Sequence, residues 1–180
     1  GLAGKDLIVR AKTGTGKTAA FCTPIVERIK TGERATRAII LAPTRELASQ
    51  VALECAGIAA YKDLIVTTLY GGVGFEKQEK DLEKGAAIVV GCPGRVLDHL
   101  RRKNLDLSQC VFVCLDEADE MLSMGFVEDV RKIVSQTPEG RQMFLFSATV
   151  TEGVKGIVAS FMSNPLDIML STDTDKVEGI

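Results

Sequence analysis

The sequence has little of several features that would assign it to other classes of protein. It has no tryptophan, one histidine and no excess of basic residues, with 22 lysines and arginines against 24 aspartates and glutamates. A globally basic nucleic-acid-binding protein is therefore excluded, and any nucleic-acid site must be built locally from a few arginines and backbone amides. No apolar run approaches the roughly 18–20 residues that a membrane span needs. We therefore expect a cytoplasmic protein that does not bind membranes.

The cysteines and the histidine also lack the spacing of a known site. There is no C-x-x-C pair, and His99 is the single histidine, so four ligands for zinc cannot be assembled at recognised spacings. The single histidine lies in no Ser-His-Asp pattern, which disfavours a hydrolase of that type. An odd number of cysteines in this pattern predicts free thiols in a reducing compartment. The cysteines are Cys22, Cys55, Cys92, Cys110 and Cys114.

What the sequence has is enough apolar residues to form one packed domain, at 46% of 180 residues. Seven short apolar runs rich in β-branched residues alternate with segments of helical periodicity, such as Val154, Ile157, Val158 and Phe161. Near-continuous apolar strands are typical of parallel sheets that helices cover on both faces. We predict an α/β fold with a mainly parallel sheet of about seven strands and helices on both faces. The predicted strands are 6–10, 38–42, 65–70, 86–90, 111–115, 143–146 and 166–170.

The first predicted strand leads into a glycine-rich loop, Ala-Lys-Thr-Gly-Thr-Gly-Lys-Thr at 11–18, which precedes a helix. Glycines let backbone N–H groups converge on phosphate oxygens, and the N-terminus of a helix favours negative charge. Lys17 is predicted to reach the β- and γ-phosphates of a nucleotide, and the Thr18 hydroxyl to bind Mg²⁺. Ala11 stands where the general phosphate-loop pattern has glycine. The predicted ATP-binding residues are Thr13, Gly14, Thr15, Gly16, Lys17 and Thr18.

The fifth predicted strand ends in two adjacent carboxylates, Asp116 and Glu117. Burying unpaired charge is costly, so we interpret this pair of carboxylates as part of a site for a divalent cation. Asp116 is predicted to hold Mg²⁺, and Glu117 to orient and deprotonate an attacking water. The alternative is an acidic helix N-terminus in which Asp119 and Glu120 complement the helix dipole.

These two motifs occur in the chain together with four further blocks. In this combination the chain resembles the N-terminal RecA-like domain of a DEAD-box ATP-dependent RNA helicase. The family begins its first motif with alanine, so Ala11 agrees with it. Every block directly follows a predicted strand, and all six should therefore line one edge of the sheet. In order, the blocks are 11–18, Pro-Thr-Arg-Glu-Leu-Ala at 43–48, Gly-Gly at 71–72, Pro-Gly-Arg at 93–95, Asp-Glu-Ala-Asp at 116–119 and Ser-Ala-Thr at 147–149.

The resemblance implies a role for each block. Lys17, Asp116 and Glu117 would be catalytic in ATP hydrolysis, with Mg²⁺ on Thr18 and Asp116. Asp119, Ser147 and Thr149 would couple hydrolysis to strand separation. From their position beside the neighbouring strand, the hydroxyls of Ser147 and Thr149 are also expected to bond the Asp116 and Asp119 carboxylates. The family usually has threonine in place of Cys92, and a thiol is a weak hydrogen-bond donor, so any contact there is expected to be weaker. Sequence-independent contacts to the RNA backbone are implied for Pro43, Thr44, Arg45, Gly71, Gly72, Pro93, Gly94 and Arg95.

We expect residues 1–170 to form this domain and residues 171–180 to begin a linker to a second RecA-like domain in cis. The resemblance implies a monomeric helicase that unwinds short RNA duplexes, in which an arginine of the second domain completes the ATP site. The isolated chain is therefore expected to be nearly inactive. The alternatives are a related P-loop motor acting on DNA, a metabolic P-loop enzyme and a non-catalytic module that binds ATP and RNA.

Residues outside the motifs are given structural interpretations. His99 is expected to be an ordinary helical residue at the surface or half-buried, and Phe75 to lie in a loop after the glycine pair. The basic run at 101–103 is interpreted as a solvated helix end. Thr44 is predicted to cap the second helix, and Thr149 or Thr151 the last one.

Overall fold

Every predicted strand is present in the computed structural model, which describes residues 4–12 and 16–170. All six strand pairings are parallel, and the sheet has the order β3-β4-β2-β5-β6-β1-β7. The predicted linker at 171–180 and the loop residues Thr13, Gly14 and Thr15 lie outside the described residues. The strands are β1 (Leu7–Arg10), β2 (Ala38–Leu41), β3 (Val66–Leu69), β4 (Ile88–Gly91), β5 (Phe112–Leu115), β6 (Gln142–Ser147) and β7 (Leu166–Met169).

Helices connect the strands and cover both faces of the sheet, as predicted. The first two helices pack on one face, and the other five pack on the opposite face. None of the described helices combines the length and apolar character that crossing a bilayer requires. The helices are α1 (Lys17–Arg28), α2 (Arg45–Ala59), α3 (Phe75–Glu83), α4 (Pro93–Arg101), α5 (Ala118–Ser123), α6 (Val127–Val134) and α7 (Glu152–Phe161), and a 3-10 turn at Ala60–Lys62 follows α2.

The central strands are apolar at every position because both of their faces are buried. In β2, Ile39 and Leu41 pack under α3–α7, whereas Ala38 and Ile40 pack under α1 and α2. Successive side chains of a strand point to opposite faces, so a helix layer on each side demands an apolar residue at each position.

The last strand departs from this expectation. Its sequence predicts burial like the others, but Leu166 is 46% exposed and Met169 is 69% exposed. The reason is topological, since β7 lies at the edge of the sheet beside β1. An apolar run therefore identifies a strand but does not determine whether the strand lies in the centre of the sheet.

The prediction of five free thiols is wrong for two of the cysteines. Cys22 and Cys55 form a disulfide between α1 and α2, with their Cα atoms 5.7 Å apart. The two residues are 33 positions apart in the sequence, and only the packing of the two helices brings them together. The other three, Cys92, Cys110 and Cys114, are free.

Candidate functional site

All six motifs lie at the edge of the sheet where the strands end, because parallel strands share one carboxyl edge. The strand order separates the motifs into two groups. The neighbouring strands β5, β6 and β1 lead into the blocks at 116–119, 147–149 and 11–18, and we call this part of the edge the β1 half. The neighbouring strands β3, β4 and β2 lead into 71–72, 93–95 and 43–48, and we call this part the β3 half.

A buried ion pair connects the phosphate loop to the acidic block in the β1 half. Lys17 begins α1 and Asp116 directly follows β5, and Lys17 Nζ lies 3.4 Å from Asp116 Oδ1. The amide of Glu117 donates a hydrogen bond of 3.0 Å to the same oxygen. Burial raises the pKa of the Asp116 carboxyl, while the charge of Lys17 acts in the opposite direction. The two side chains therefore share one charged, largely dry site.

The loop that precedes Lys17 ends in a conformation suited to glycine. Gly16 has φ +69°, in the left-handed region, and it immediately precedes the first residue of α1. Among the described residues, nothing apart from its chain neighbours would lie within 4 Å of a Cβ atom there, so the backbone conformation and not crowding favours glycine. Thr18 lies in the first turn of α1, beside Lys17. The N-terminus of α1 and these side chains could together receive the phosphates of a nucleotide.

Glu117 has a strained backbone and a perturbed carboxyl. Its φ of 47° and ψ of 53° are left-handed, a conformation that costs a non-glycine residue about 1–2 kcal/mol. Burial, followed by the neighbouring charge of Asp116, raises the pKa of the Glu117 carboxyl. Strained residues are concentrated at functional sites, and a carboxylate with a raised pKa is a better proton acceptor than an ordinary one. Glu117 is therefore suited to act as a general base.

The acidic block is also bonded to the Ser-Ala-Thr block. Asp119 Oδ2 accepts hydrogen bonds from the Thr149 amide at 3.0 Å and the Thr149 hydroxyl at 2.8 Å. The Asp119 amide lies 3.3 Å from Ser147 Oγ, and that hydroxyl donates to the Thr149 carbonyl. Burial acts to raise the pKa of Asp119, but the hydrogen bonds outweigh it and hold the pKa below its usual value. The Thr149 hydroxyl bonds the Asp119 carboxylate as expected, but among the described residues no hydroxyl bonds the Asp116 carboxylate, so that part of the expectation is wrong. Thr151 is the residue that caps α7.

A magnesium ion fits the donors of the β1 half. Carboxylate and hydroxyl oxygens, as on Asp116 and Thr18, are hard ligands of the kind that Mg²⁺ prefers. The Asp116 carboxylate contacts the Glu117 amide and the Lys17 ammonium, and it makes both contacts with Oδ1. Within residues 4–12 and 16–170 no three histidine, cysteine, aspartate or glutamate side chains converge as a complete metal site. Mg²⁺ is usually bound through one or two carboxylates, water and the phosphates of a substrate, and Asp116 could supply such a carboxylate.

The β3 half is built around an exposed arginine at the start of α2. Thr44 accepts the Leu47 amide at 3.3 Å and caps the helix, as predicted, and Pro43 precedes it as a buried residue. The Arg45 guanidinium stacks on the Tyr70 ring, 4.8 Å from its centre. Gly72 has φ +79°, and a Cβ atom there would lie 3.4 Å from Arg45 Nη1. The glycine turn and the arginine of the second block are thus neighbours.

A buried glutamine connects the remaining blocks of the β3 half. Gln78 is 4% exposed, and its amide group donates to the Tyr70 carbonyl at 2.9 Å, directly before the glycine pair. Its Oε1 accepts from Arg95 Nη1 at 3.1 Å, and the same nitrogen donates to the Val73 carbonyl at 2.8 Å. The sequence interpretation missed Gln78. The available signal was a polar residue four positions before Leu82, on the buried face of α3.

Two expectations about this region are wrong. Phe75 begins α3 instead of lying in a loop, and His99 is completely buried instead of half-buried or at the surface. His99 Nε2 donates to Gln78 Oε1 at 3.0 Å, so Nδ1 accepts from Asn104 at 3.2 Å. Burial lowers the pKa of His99, and Arg95 lowers it further. Packing of α4 against α3, which the sequence pattern does not specify, explains both corrections.

The block at 93–95 begins α4 as the sequence predicts. Pro93 is the first residue of the helix, and Gly94 and Arg95 follow in the first turn. Cys92 occupies the N-cap position, and within the described residues its thiol makes no capping hydrogen bond. Burial raises the pKa of this thiol, which keeps it protonated at neutral pH. The side chain at 92 therefore adds little polar binding capacity to the β3 half.

Comparison with known proteins agrees with this geometry. The sequence profile described as DEAD/DEAH box helicase matches residues 1–157. The DEAD-box ATP-dependent RNA helicase CshA of Streptococcus pneumoniae is 49% identical over 170 residues, which cover 94% of this chain and 32% of that protein. The ATP-dependent RNA helicase DeaD of Mycobacterium tuberculosis is 45% identical over 180 residues, which cover 99% of this chain and 32% of that protein. The chain belongs to the DEAD/DEAH box helicase family.

Solved structures give the same result for the fold. A DEAD box protein from the hyperthermophile Methanococcus jannaschii superimposes with a TM-score of 0.87 at 42% identity, over 92% of this chain and 45% of that chain. A hypothetical ATP-dependent RNA helicase from Sulfolobus tokodaii gives 0.85 at 40% identity, over 94% of this chain and 49% of that chain. The predicted RecA-like α/β fold is confirmed. The chain spans about a third of the length of the curated relatives that it matches.

Proposed function

We propose that this chain is the N-terminal, ATP-binding RecA-like domain of an ATP-dependent RNA helicase. The observation that carries the proposal is the division of the carboxyl edge into two halves. Carboxylates, a buried lysine and a helix N-terminus are grouped in the β1 half, which suits a nucleotide and its metal. Exposed or half-buried arginines and glycine turns are grouped in the β3 half, which suits a polynucleotide backbone.

In the β1 half, the backbone of residues 13–16 and the start of α1 receive the phosphates of ATP, and Lys17 binds the β- and γ-phosphates. Thr18 and Asp116 would hold Mg²⁺, which would supply positive charge for the phosphate oxygens. Lys17 pairs with Asp116 in this structure, so nucleotide binding exchanges one partner of the lysine for another. The ion pair therefore holds the two side chains against each other before the nucleotide arrives.

Glu117 accepts the proton of the water that attacks the γ-phosphate. The pKa of the Glu117 carboxyl is raised toward the working pH, where a general base is most effective. The left-handed backbone holds this residue beside Asp116. The water oxygen bonds to the γ-phosphorus as the bond from that phosphorus to the β–γ bridging oxygen breaks in line, so the products are ADP and inorganic phosphate.

In the β3 half, RNA is bound through phosphates and sugars and not through its bases. Arg45 and Arg95 supply charge, and the glycine turn at 71–72 allows close approach of the backbone. The helix starts that follow Pro43 and Pro93 offer the amides of residues 44–45 and 94–95. The chain has two tyrosines and seven phenylalanines, which gives little material for base stacking. Binding is therefore independent of sequence.

Hydrolysis is coupled to strand separation through Asp119, Ser147 and Thr149, whose hydrogen bonds join β5 and β6 beside the nucleotide. A second RecA-like domain, in cis after residues 171–180, closes over ATP and RNA and supplies an arginine to the γ-phosphate. The protein acts as a monomer in the cytoplasm on short RNA duplexes. By itself the 180-residue chain binds nucleotide weakly and hydrolyses it slowly or not at all.

The test uses the full-length protein and the variant Glu117→Gln. We expect this variant to bind ATP and RNA as the wild type does, while its RNA-stimulated ATP turnover falls by about 100-fold or more. Glu120→Gln is the matched control, because Glu120 is an exposed acid in the same short helix and should leave turnover unchanged. Turnover that survives Glu117→Gln would remove this residue from the role of base.

Two further measurements test the rest of the proposal. Matched RNA and DNA strands should compete unequally for the protein, with RNA the stronger competitor, whereas a DNA motor would give the opposite order. The 180-residue chain alone should show little ATP turnover with or without RNA. Robust RNA-stimulated turnover by this chain would show that a second domain is not needed.

A further inference from the structure

Two arginines of α4 share one aromatic ring, and one of them lies outside the six motifs. Arg95, His99 and Arg102 fall at i, i+4 and i+7, on one face of the helix, and Phe75 of α3 packs against that face. The guanidinium carbons of Arg95 and Arg102 lie 4.1 Å and 3.9 Å from the centre of the Phe75 ring. We call these four residues the Phe75 platform.

The platform holds two positive charges close together. The two guanidinium carbons are no more than about 8 Å apart, since each lies about 4 Å from the same ring centre. In the described parts of the chain neither guanidinium forms a salt bridge with a carboxylate, whereas the adjacent Arg101 lies 3.9 Å from Asp98. His99 beneath them is buried and its pKa is lowered, so it adds no charge at neutral pH. Two guanidinium groups held this close to each other attract an anion such as a phosphate, which arginine binds through charged hydrogen bonds.

Stacking on Phe75 also prepares the arginines for binding. A guanidinium held against a ring loses less rotamer freedom when it binds a phosphate than one that is free in solvent. Arg102 is exposed, at the C-cap of α4, seven residues after Arg95 and hence about 10 Å further along the helix axis. Residues 101–103 are exposed at the end of the helix, as the basic run suggested, and the contact with the Phe75 ring is what distinguishes Arg102.

We propose that Arg102, held by Phe75, binds a further RNA phosphate and extends the RNA site of the β3 half along α4 beyond Arg95. The occupant is RNA because Arg95, which shares the ring, belongs to the block whose proposed ligand is the RNA backbone. This inference rests on the proposed function. An acidic protein partner is the competing occupant, and the test below separates the two.

The experiment measures the affinity of the full-length protein for a single-stranded RNA oligonucleotide over a range of salt concentrations. Arg102→Gln should weaken binding about 3- to 10-fold at low salt and reduce the slope of log K against log salt by about 0.7, the value for one phosphate contact. Arg102→Lys should restore the slope, because it keeps the charge, but only part of the affinity, because it loses the stacked plane. ATP affinity should stay unchanged in both variants.

Arg101→Gln is the matched control, since Arg101 is the neighbouring exposed arginine and already faces Asp98. It should leave the salt slope at the wild-type value. Equal salt slopes for Arg102→Gln and Arg101→Gln, with wild-type RNA binding intact, would overturn this inference and leave the proposed function standing. A wild-type protein that shows no salt-dependent RNA binding would instead overturn the proposed function, and this inference with it.

Discussion

Lys17 Nζ lies 3.4 Å from Asp116 Oδ1, and the two side chains are only 8% and 3% exposed. Lys17 begins the helix after the first strand, and Asp116 directly follows the fifth strand, almost 100 residues later. Because β6 is the only strand between β1 and β5 in the sheet, the pair spans the centre of the β1 half. Removal of either partner leaves a buried charge without compensation.

This pair gives the first prediction, on stability. Lys17→Met should lower the free energy of unfolding of the chain by about 3 kcal/mol, and addition of Asp116→Asn should recover most of the loss, because no buried charge then remains. Urea unfolding of the two variants measures this. Lys155→Met is the control, since Lys155 forms an exposed pair with Glu152 and should change stability by about 0.5 kcal/mol or less. A double variant as unstable as the single one would contradict this prediction.

The second prediction concerns the hydrogen bond from the Thr149 hydroxyl to Asp119. Thr149→Val removes this donor and keeps the shape of the side chain, so the link between the acidic block and the Ser-Ala-Thr block is weakened. In the full-length protein we expect ATP turnover to persist while the number of duplexes separated per ATP falls about tenfold. Thr149→Ser keeps the hydroxyl and should stay close to the wild type. Equal loss of turnover and unwinding would argue against a coupling role.

The third prediction follows from the left-handed backbone of Glu117. Both Glu117→Gly and Glu117→Ala remove the carboxyl, but only glycine adopts this conformation without a steric penalty. The glycine variant should therefore be the more stable of the two by about 1 kcal/mol in urea unfolding. Both variants should be inactive in ATP hydrolysis. An alanine variant as stable as the glycine variant would show that position 117 is not strained.

The fourth prediction uses the single histidine. Burial, followed by the charge of Arg95, lowers the pKa of His99 in the folded chain. The unfolded chain takes up this proton near the ordinary value of about 6.5, so the stability contribution is complete above that pH and decreases as the pH falls through it. NMR titration of the one imidazole should give a pKa below that of the same histidine in the urea-unfolded chain. A folded-state pKa at or above the unfolded value would contradict the buried, neutral assignment.

Those features that depend on local spacing could be predicted from the sequence. The strands follow from apolar runs, the phosphate loop from glycines between a strand and a helix, and the cap at Thr44 from its position before a helical pattern. For the last helix the sequence left two candidate caps, Thr149 and Thr151, of which Thr151 is the cap. The choice of one sheet edge for all six motifs follows from parallel strands alone. No knowledge of the order of the strands was needed for any of these.

Features that depend on pairing between distant segments could not be predicted. Strand order, which divides the edge into its two halves, is set by packing over the whole domain. The same is true of Gln78, whose three partners come from two other segments, the end of β3 and the helix α4, and of the Cys22–Cys55 disulfide between two helices. Edge position explains the exposure of β7, which its apolar sequence did not indicate.

The central claim, that nucleotide and RNA occupy separate halves of one sheet edge, is tested most directly by two binding constants measured for two variants. The full-length protein would be titrated with ATP in the absence of RNA, and with single-stranded RNA in the absence of nucleotide. Lys17→Ala should weaken ATP binding at least about tenfold and leave RNA binding unchanged, whereas Arg45→Gln should weaken RNA binding and leave ATP binding unchanged. Loss of both affinities in either variant that remains folded, or unchanged ATP affinity in Lys17→Ala, would contradict the division of the edge.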